Sequence, residues 1–194
     1  MSAMDLRLVV YEPNGPRIGV LPHPLSVDVG QPLNDLPSLR VDYSAHAVGA
    51  DLLEEPCEVA VELYDARTGS WTEYPDSRFL RVQRSGDVAD PTGARSYAMP
   101  GYGWQMKKIR LYPGSANLVD GKRGFLSATA GTIVRTFVQE WHYRGGAAEF
   151  SIDFTTTTDS AGQPWDKILT IYYQPGIDLL TVLTNLAEQG VCDW

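Results

Sequence analysis

The sequence predicts an α+β protein in two parts: a small antiparallel β-barrel or sandwich over residues 1–113 and a thin α/β region over residues 114–194. Three observations predict it. Apolar side chains recur at every second position through the first part. Turn-forming runs rich in Gly, Pro, Asn and Asp separate those stretches. Near residue 114 the period lengthens from two to that of a helix.

The elements follow in order. "DLRLVVYE" puts Leu6, Leu8 and Val10 on one face, "PNGP" turns the chain at Asn14-Gly15, and "RIGVL" returns. "LRVDY" (39–43) and "EVAVELYD" (58–65) alternate in the same way, the latter with Val59, Val61 and Leu63 inward. "ARTGS" is a hairpin turn answered by "WTEY". "RFLRVQR" (78–84) and "SYAM" (96–99) flank a turn at "DPTG", and "WQMKKIRLY" (104–112) reads as a further strand. About eight short strands of this kind make a barrel or a sandwich.

"PGSANLVDGKRG" then reads as a linker. In "TIVRTFVQEWHYRGG" Ile133, Phe137 and Trp141 are spaced by four, Thr132 caps the start, and Gly145-Gly146 ends the helix. "EFSIDFT" and "KILTIYYQ" predict a strand pair. A last helix over 179–189 has Asp178 as its N-cap, Gly190 as its terminator, and a stripe of Leu179, Val182, Leu183 and Leu186 expected to pack on those strands. An isolated strand pair is marginal, so further strands from a downstream segment or another subunit are expected. Val191 and Cys192 begin an apolar run, which predicts an architecture continuing past Trp194.

Composition narrows the function classes. Hydrophobic content of 43% and charged content of 21% suit a globular protein with a sizeable core. The net charge of -8 argues against a nucleic-acid surface, which needs a basic excess to meet phosphates. Residues 1–100 hold fifteen acids against eight bases, and 101–194 hold nine against eight. No apolar run of ~18 residues exists, so no membrane span is expected, and "MSAMDLRLVV" has no secretory pattern. Cys57 and Cys192 have no CxxC spacing and read as two reduced thiols.

Chemistry-bearing patterns are few. No GxSxG is present, and the histidines are His23, His46 and His142. His23 lies in the extended "LPHPL" and is expected to be exposed; His142 suits the last turn of a helix. Asp153, Asp159 and Asp166 bracket "TTTTDSAGQPW", where a Ca²⁺ site lacks the EF-hand spacing and a capped turn is the reading adopted. "PGYGWQMKK" opens no helix and lacks a third glycine, so it is no phosphate loop. Lys107, Lys108, Arg110, Lys122 and Arg123 form a basic concentration read as solvated or subunit-facing. Trp104, Trp141 and Trp165 sit in or beside apolar patterns and are expected to fill cores or interfaces. The residues therefore predict no catalytic residue, no cofactor-binding residue and no metal ligand.

The runs "VVYEPNGPRIGVLP", "LNDLPSLRVDY", "DSRFLRV", "YAMPGYGW", "AGTIVRTFVQEW", "TTTTDSAGQPW" and "GIDLLTVLTNLAEQGVCDW" together resemble the N-terminal region of the minor tail proteins of actinobacterial siphophages. The resemblance covers Asp5 to Trp194. It implies a split β-barrel hub domain followed by an α/β hub domain that continues downstream, at the distal end of a phage tail. It further implies a structural role without catalysis and a homotrimer around the tail axis. The implied partners are distal tail or tail-tube proteins and downstream tip or fibre proteins. The alternative from the residues is a glycan-binding or glycan-cleaving host-attachment module, resting on the aromatic content and the loop carboxylates.

Overall fold

The computed structural model describes residues 5–86, 93–114, 118–146 and 150–194, and the chain divides into two units, Met1–Gly103 and Trp104–Trp194. The architecture is α+β: mostly antiparallel sheets with a few helices. Asp90, Pro91 and Thr92 of the expected "DPTG" turn, Glu149 of the expected strand, Ser115–Asn117 and Met1–Met4 lie outside the described residues.

Eight strands are described in the first unit: β1 (Leu6–Tyr11), β2 (Arg17–Leu21), β3 (Ser26–Gly30), β4 (Ser38–Ser44), β5 (Glu58–Asp65), β6 (Ser70–Leu80), β7 (Gln83–Gly86) and β8 (Ala94–Pro100). They form two four-stranded sheets, β2-β1-β5-β6 and β3-β4-β8-β7. The alternation fixes which side chains meet. Leu8 opposes Val61 and Val10 opposes Val59 in the first sheet, while Leu39 opposes Met99 and Val41 opposes Tyr97 in the second. All eight join one core with Leu21, Tyr43 and Phe79. Two sheets that share a core lie face to face. A single bridge described between them, Phe79 to Gly101, joins one seam, and among the described residues the sheets do not close into a barrel.

The strands differ in part from expectation. "SVDVG" is a strand not predicted; Val27 and Val29 flank Asp28 in a run too short to stand out between prolines and glycine. "WTEY" and "RFL" are one strand, β6, whose register shifts where Asp76 takes φ 53°. The irregularity is held by Ser77, which is fully buried and donates to the Val61 carbonyl at 3.0 Å. "WQMKKIRLY" is not a strand. Tyr102–Lys108 is a 3₁₀ helix, and Ile109 and Leu111 enter the core of the second unit. Backbone bonds from Leu111 N to Ile177 O (2.9 Å) and from Leu179 N to Ile109 O (2.8 Å) tie that segment down.

The second unit holds β9 (Leu118–Val119), β10 (Lys122–Ala128), α1 (Ala130–Tyr143), β11 (Leu169–Tyr173) and α2 (Leu179–Glu188), with sheet order β11-β10-β9. The supposed linker is therefore largely a hairpin. Its turn is Asp120-Gly121, both with positive φ (50° and 75°), the geometry that such a dipeptide favours. Thr129, not Thr132, caps α1: its side chain accepts from Thr132 N. At the other end Gly145 takes φ 85°, and Gly146 N reaches Trp141 O, a Schellman closure. α2 is capped by Asp178, as expected, and closes in the same way through Gly190 (φ 63°), with Val191 N bonded to Leu186 O. Val191 is buried as the apolar partner that commonly accompanies this closure.

The expected strand pair is not formed. β11 pairs with β10, and Ser151–Phe154 forms no strand and has no ladder partner among the described residues. Its apolar alternation serves packing instead: Phe150 lies edge-on to Trp141 (5.9 Å) and Phe154 edge-on to Trp165 (5.7 Å). The stripe Leu179, Val182, Leu183 and Leu186 is buried in one core with Ile133, Val134, Phe137 and Val138 of α1 and with Phe125 and Tyr173 of the sheet.

Candidate functional site

Two regions gather functional side chains, one in each unit. The first is the outer face of the β2-β1-β5-β6 sheet. Glu58, Ala60 and Glu62 of β5 point away from the core positions Val59 and Val61, yet all three are buried, Glu58 at 1% exposure. A carboxylate removed from water needs partners. Glu58 accepts from Asn14 N (2.8 Å) and from the Tyr102 hydroxyl, and Arg78 lies 3.6 Å from its other oxygen. Arg78 also forks onto Glu73 (2.9 and 3.2 Å) and covers the Tyr11 ring at 4.1 Å. Arg7 donates to Glu62 at 2.6 Å and covers Trp71 at 4.4 Å.

Arg7 comes from β1 and Arg78 from β6, so two guanidinium groups reach across β5 from opposite sides. Burial, followed by the hydrogen bond to Glu58 and then the Glu58 charge, pushes the Tyr102 hydroxyl up to about 12, so it stays a donor. The Glu73 hydrogen bond first of all raises Arg78 further. The arrangement is a brace. Alternation that turns Val59 and Val61 inward turns Glu58 and Glu62 outward; the missed signals were Arg7, which faces Glu62 on β1, and Arg78, which faces Ala60 on β6 and reaches diagonally to Glu58.

The second region is a groove of about 450 Å³ in the second unit. Its walls are the first turns of α1 (Ala130, Val134), Leu183 of α2, the loop from Asp153 to Asp166, and Val191–Trp194. The loop is held as a tight turn. Asp159 accepts from Gln163 N at 2.7 Å, Thr158 bridges to Pro164, and Trp165 N bonds to Thr157 O. The reading of Asp159 as a turn cap matches this geometry. Trp165 donates its indole N–H to Thr155 O at 3.0 Å. Gly131 makes room for that contact, because a Cβ there would lie 2.2 Å from Thr155 O.

Asp153, Asp159 and Asp166, scattered in the sequence, thus line one hollow with Asp193, Phe154, Trp165 and Trp194. Among the described residues no set of three His, Cys, Asp or Glu side chains is placed to hold a metal ion. Burial and the charge of Asp193 raise the Cys192 thiol, and burial pushes Cys57 up to about 11, so both are free, protonated thiols.

The remaining candidates are not brought together. His23 and His46 are exposed, and His142 lies beside Trp141 near the end of α1. Lys107, Lys108, Arg110 and Lys122 are exposed, whereas Arg123 is tied to Glu140 (3.0 Å) and covers Phe125. Trp141, Trp165 and Trp194 are half-buried against the second core, and Trp104 is half-buried beside Lys108. No helix among the described residues is long and apolar enough to cross a membrane. Compared with known proteins, the chain matches no family model and no curated sequence.

Proposed function

We propose that the chain is a structural component of a phage tail tip: a hub protein that self-associates around the tail axis and joins the tail tube or distal tail protein to the tip. One observation carries the reading. The three-stranded sheet of the second unit exposes apolar side chains from each strand, Val119 at 48%, Leu126 at 63% and Tyr172 at 45%, with Ile168 at 68% just before β11. Its outer strands β9 and β11 have no further partner among the described residues. An open edge beside an apolar face is a liability for a protein that stays alone, and a neighbouring subunit removes it from water.

The sequence runs that resemble siphophage minor tail proteins support the same reading. On it, the two facing sheets of the first unit are a split β-barrel, three copies surround the axis at the distal end of the virion tail, and the role is geometric rather than enzymatic. Ring closure satisfies the outer strands. The acidic excess of residues 1–100 suits a channel that DNA passes without sticking.

The test is an electron-microscopy map of the particle. Three copies in a ring, with contacts on the order of 1,000 Å² or more, are expected. A peripheral spike without ring contacts would overturn the hub and favour the alternative, a glycan-binding or glycan-cleaving module, for which the indoles and carboxylates of the groove speak.

A further inference from the structure

The groove carries chemistry that a hub's geometry does not use. Four carboxylates line it, from Asp153, Asp159, Asp166 and Asp193, and no Lys, Arg or His stands among its described lining residues. Asp159 is committed to the turn through Gln163 N. Asp153 and Asp166 are exposed, and among the described residues neither has a hydrogen bond or ion pair. Two cations stand at the rim, Lys167 on the Gly190 carbonyl and Arg135 on the Phe154 carbonyl at 2.6 Å, and neither is ion-paired with Asp153 or Asp166 among the described residues. Between the carboxylates lie Phe154 and two indoles, Trp165 and Trp194.

Such a hollow discriminates by charge. Neutral hydroxyls would gain hydrogen bonds there but no net attraction, and phosphates would be repelled. A cation gains twice, from the carboxylates and from the aromatic faces. Guanidinium suits the combination best, since its plane stacks on an indole while its edge forks onto a carboxylate. The volume, about 450 Å³, is in the range of ligand sites, so a short segment rather than a bare ion fills it.

We infer that the groove docks an arginine side chain carried on an extended segment of a partner protein. The inference stands on the groove's own residues, whichever role the chain plays in a particle. The other face of the same observation is competition: an oligosaccharide stacked on the indoles would occupy the same space.

Cys192 lines the groove and supplies the readout, while Cys57, buried in the other unit, serves as the internal reference. Maleimide labelling of each cysteine is followed by peptide mapping, with acetyl-Gly-Arg-Gly-amide, its neutral citrulline analogue, and an N-acetylglucosamine oligomer as probes. At ten times its Kd the arginine peptide is expected to slow Cys192 labelling by roughly elevenfold, by mass action. Labelling of Cys57 is expected to stay unchanged. Raising NaCl from about 0.1 to about 1 M shortens the screening length from roughly 10 to roughly 3 Å and is expected to weaken the protection.

The citrulline peptide is expected to protect far less, and the Asp153→Asn/Asp166→Asn variant is expected to lose the protection. Equal protection by citrulline, protection by the oligosaccharide alone, protection that survives the double substitution, or no protection by any probe would each overturn the inference. If the double variant does not fold, the citrulline and salt comparisons on the unaltered protein decide it.

Discussion

Replacing Gly131 by alanine tests the packing that forms one wall of the groove. In an unencumbered helix this change is favourable by about 0.8–1 kcal/mol, because glycine loses more backbone freedom on folding. Here the added methyl would lie 2.2 Å from Thr155 O and 2.4 Å from Trp165 Nε1. Neither obstacle is the loose end of a flexible side chain. Overpacking of this kind costs about 1–3 kcal/mol, and pushing Trp165 away from Thr155 forfeits a hydrogen bond worth about 1 kcal/mol. The helix gain cancels the hydrogen-bond loss, which leaves a destabilisation of about 1–3 kcal/mol. Both α-helices belong to the second unit, so the helical far-ultraviolet signal reports its unfolding. For a domain of roughly 60–100 residues each kcal/mol lowers Tm by about 4–8 °C. A Tm that rises in Gly131→Ala would mean that the propensity term acts alone and that the 155–165 loop does not rest on α1.

Further substitutions probe other parts. Leu186→Ala empties a fully buried position between the helices and should cost about 2–5 kcal/mol in denaturant unfolding. Asp178→Ala removes the acceptor for Thr181 N at 3.0 Å and should cost about 0.5–2 kcal/mol in the same assay, with Asp178→Asn retaining most of it. Arg78→Met leaves Glu58 buried beside two donors but no cation; a loss of about 3–5 kcal/mol is expected, and a neutral result would show that the brace carries no stability. Tyr173 is buried and its hydroxyl is pushed up to about 12, chiefly by burial. Because its folded pKa lies above the unfolded value of about 10, its contribution to stability is complete below pH ~10 and is lost as pH rises through about 12. Tyr173→Phe should flatten that alkaline decline in urea midpoints.

Much of the fold could be read where one interaction dominates. Val59 and Val61, or Leu39 and Val41, alternate because a half-buried strand demands it, and the stripe from Leu179 to Leu186 repeats because a helix demands it. The misreadings occurred where the same pattern serves two ends. Ile109 and Leu111 alternate like a strand but fill a core beside a 3₁₀ helix. Phe150 and Phe154 alternate like a strand but seat aromatic edges. Asp120-Gly121 was a strong hairpin signal hidden in small polar residues. The groove could be read only in part: the loop carboxylates stand out in the sequence, but not their meeting with Asp193 and the two indoles. Asp153, Asp159, Asp166 and Asp193 are joined only by the turn at Asp159, the room left at Gly131 and the cap at Gly190, three backbone events with no charge pattern of their own.

The pairing of distant strands also sets a timetable. Leu6 of β1 opposes Leu63 of β5, and Ser38 of β4 opposes Pro100 of β8. Long loops must close before such contacts repay them, which slows folding. During synthesis the sheet β2-β1-β5-β6 is complete once Leu80 has emerged, whereas β4 waits for β8. In that interval Leu39, Val41 and Tyr43 have half a sheet beside them. Ribosome pausing or truncation between Leu80 and Pro100 would therefore release a nascent chain with a sticky, half-built layer, and aggregation of the newborn protein should concentrate at those lengths.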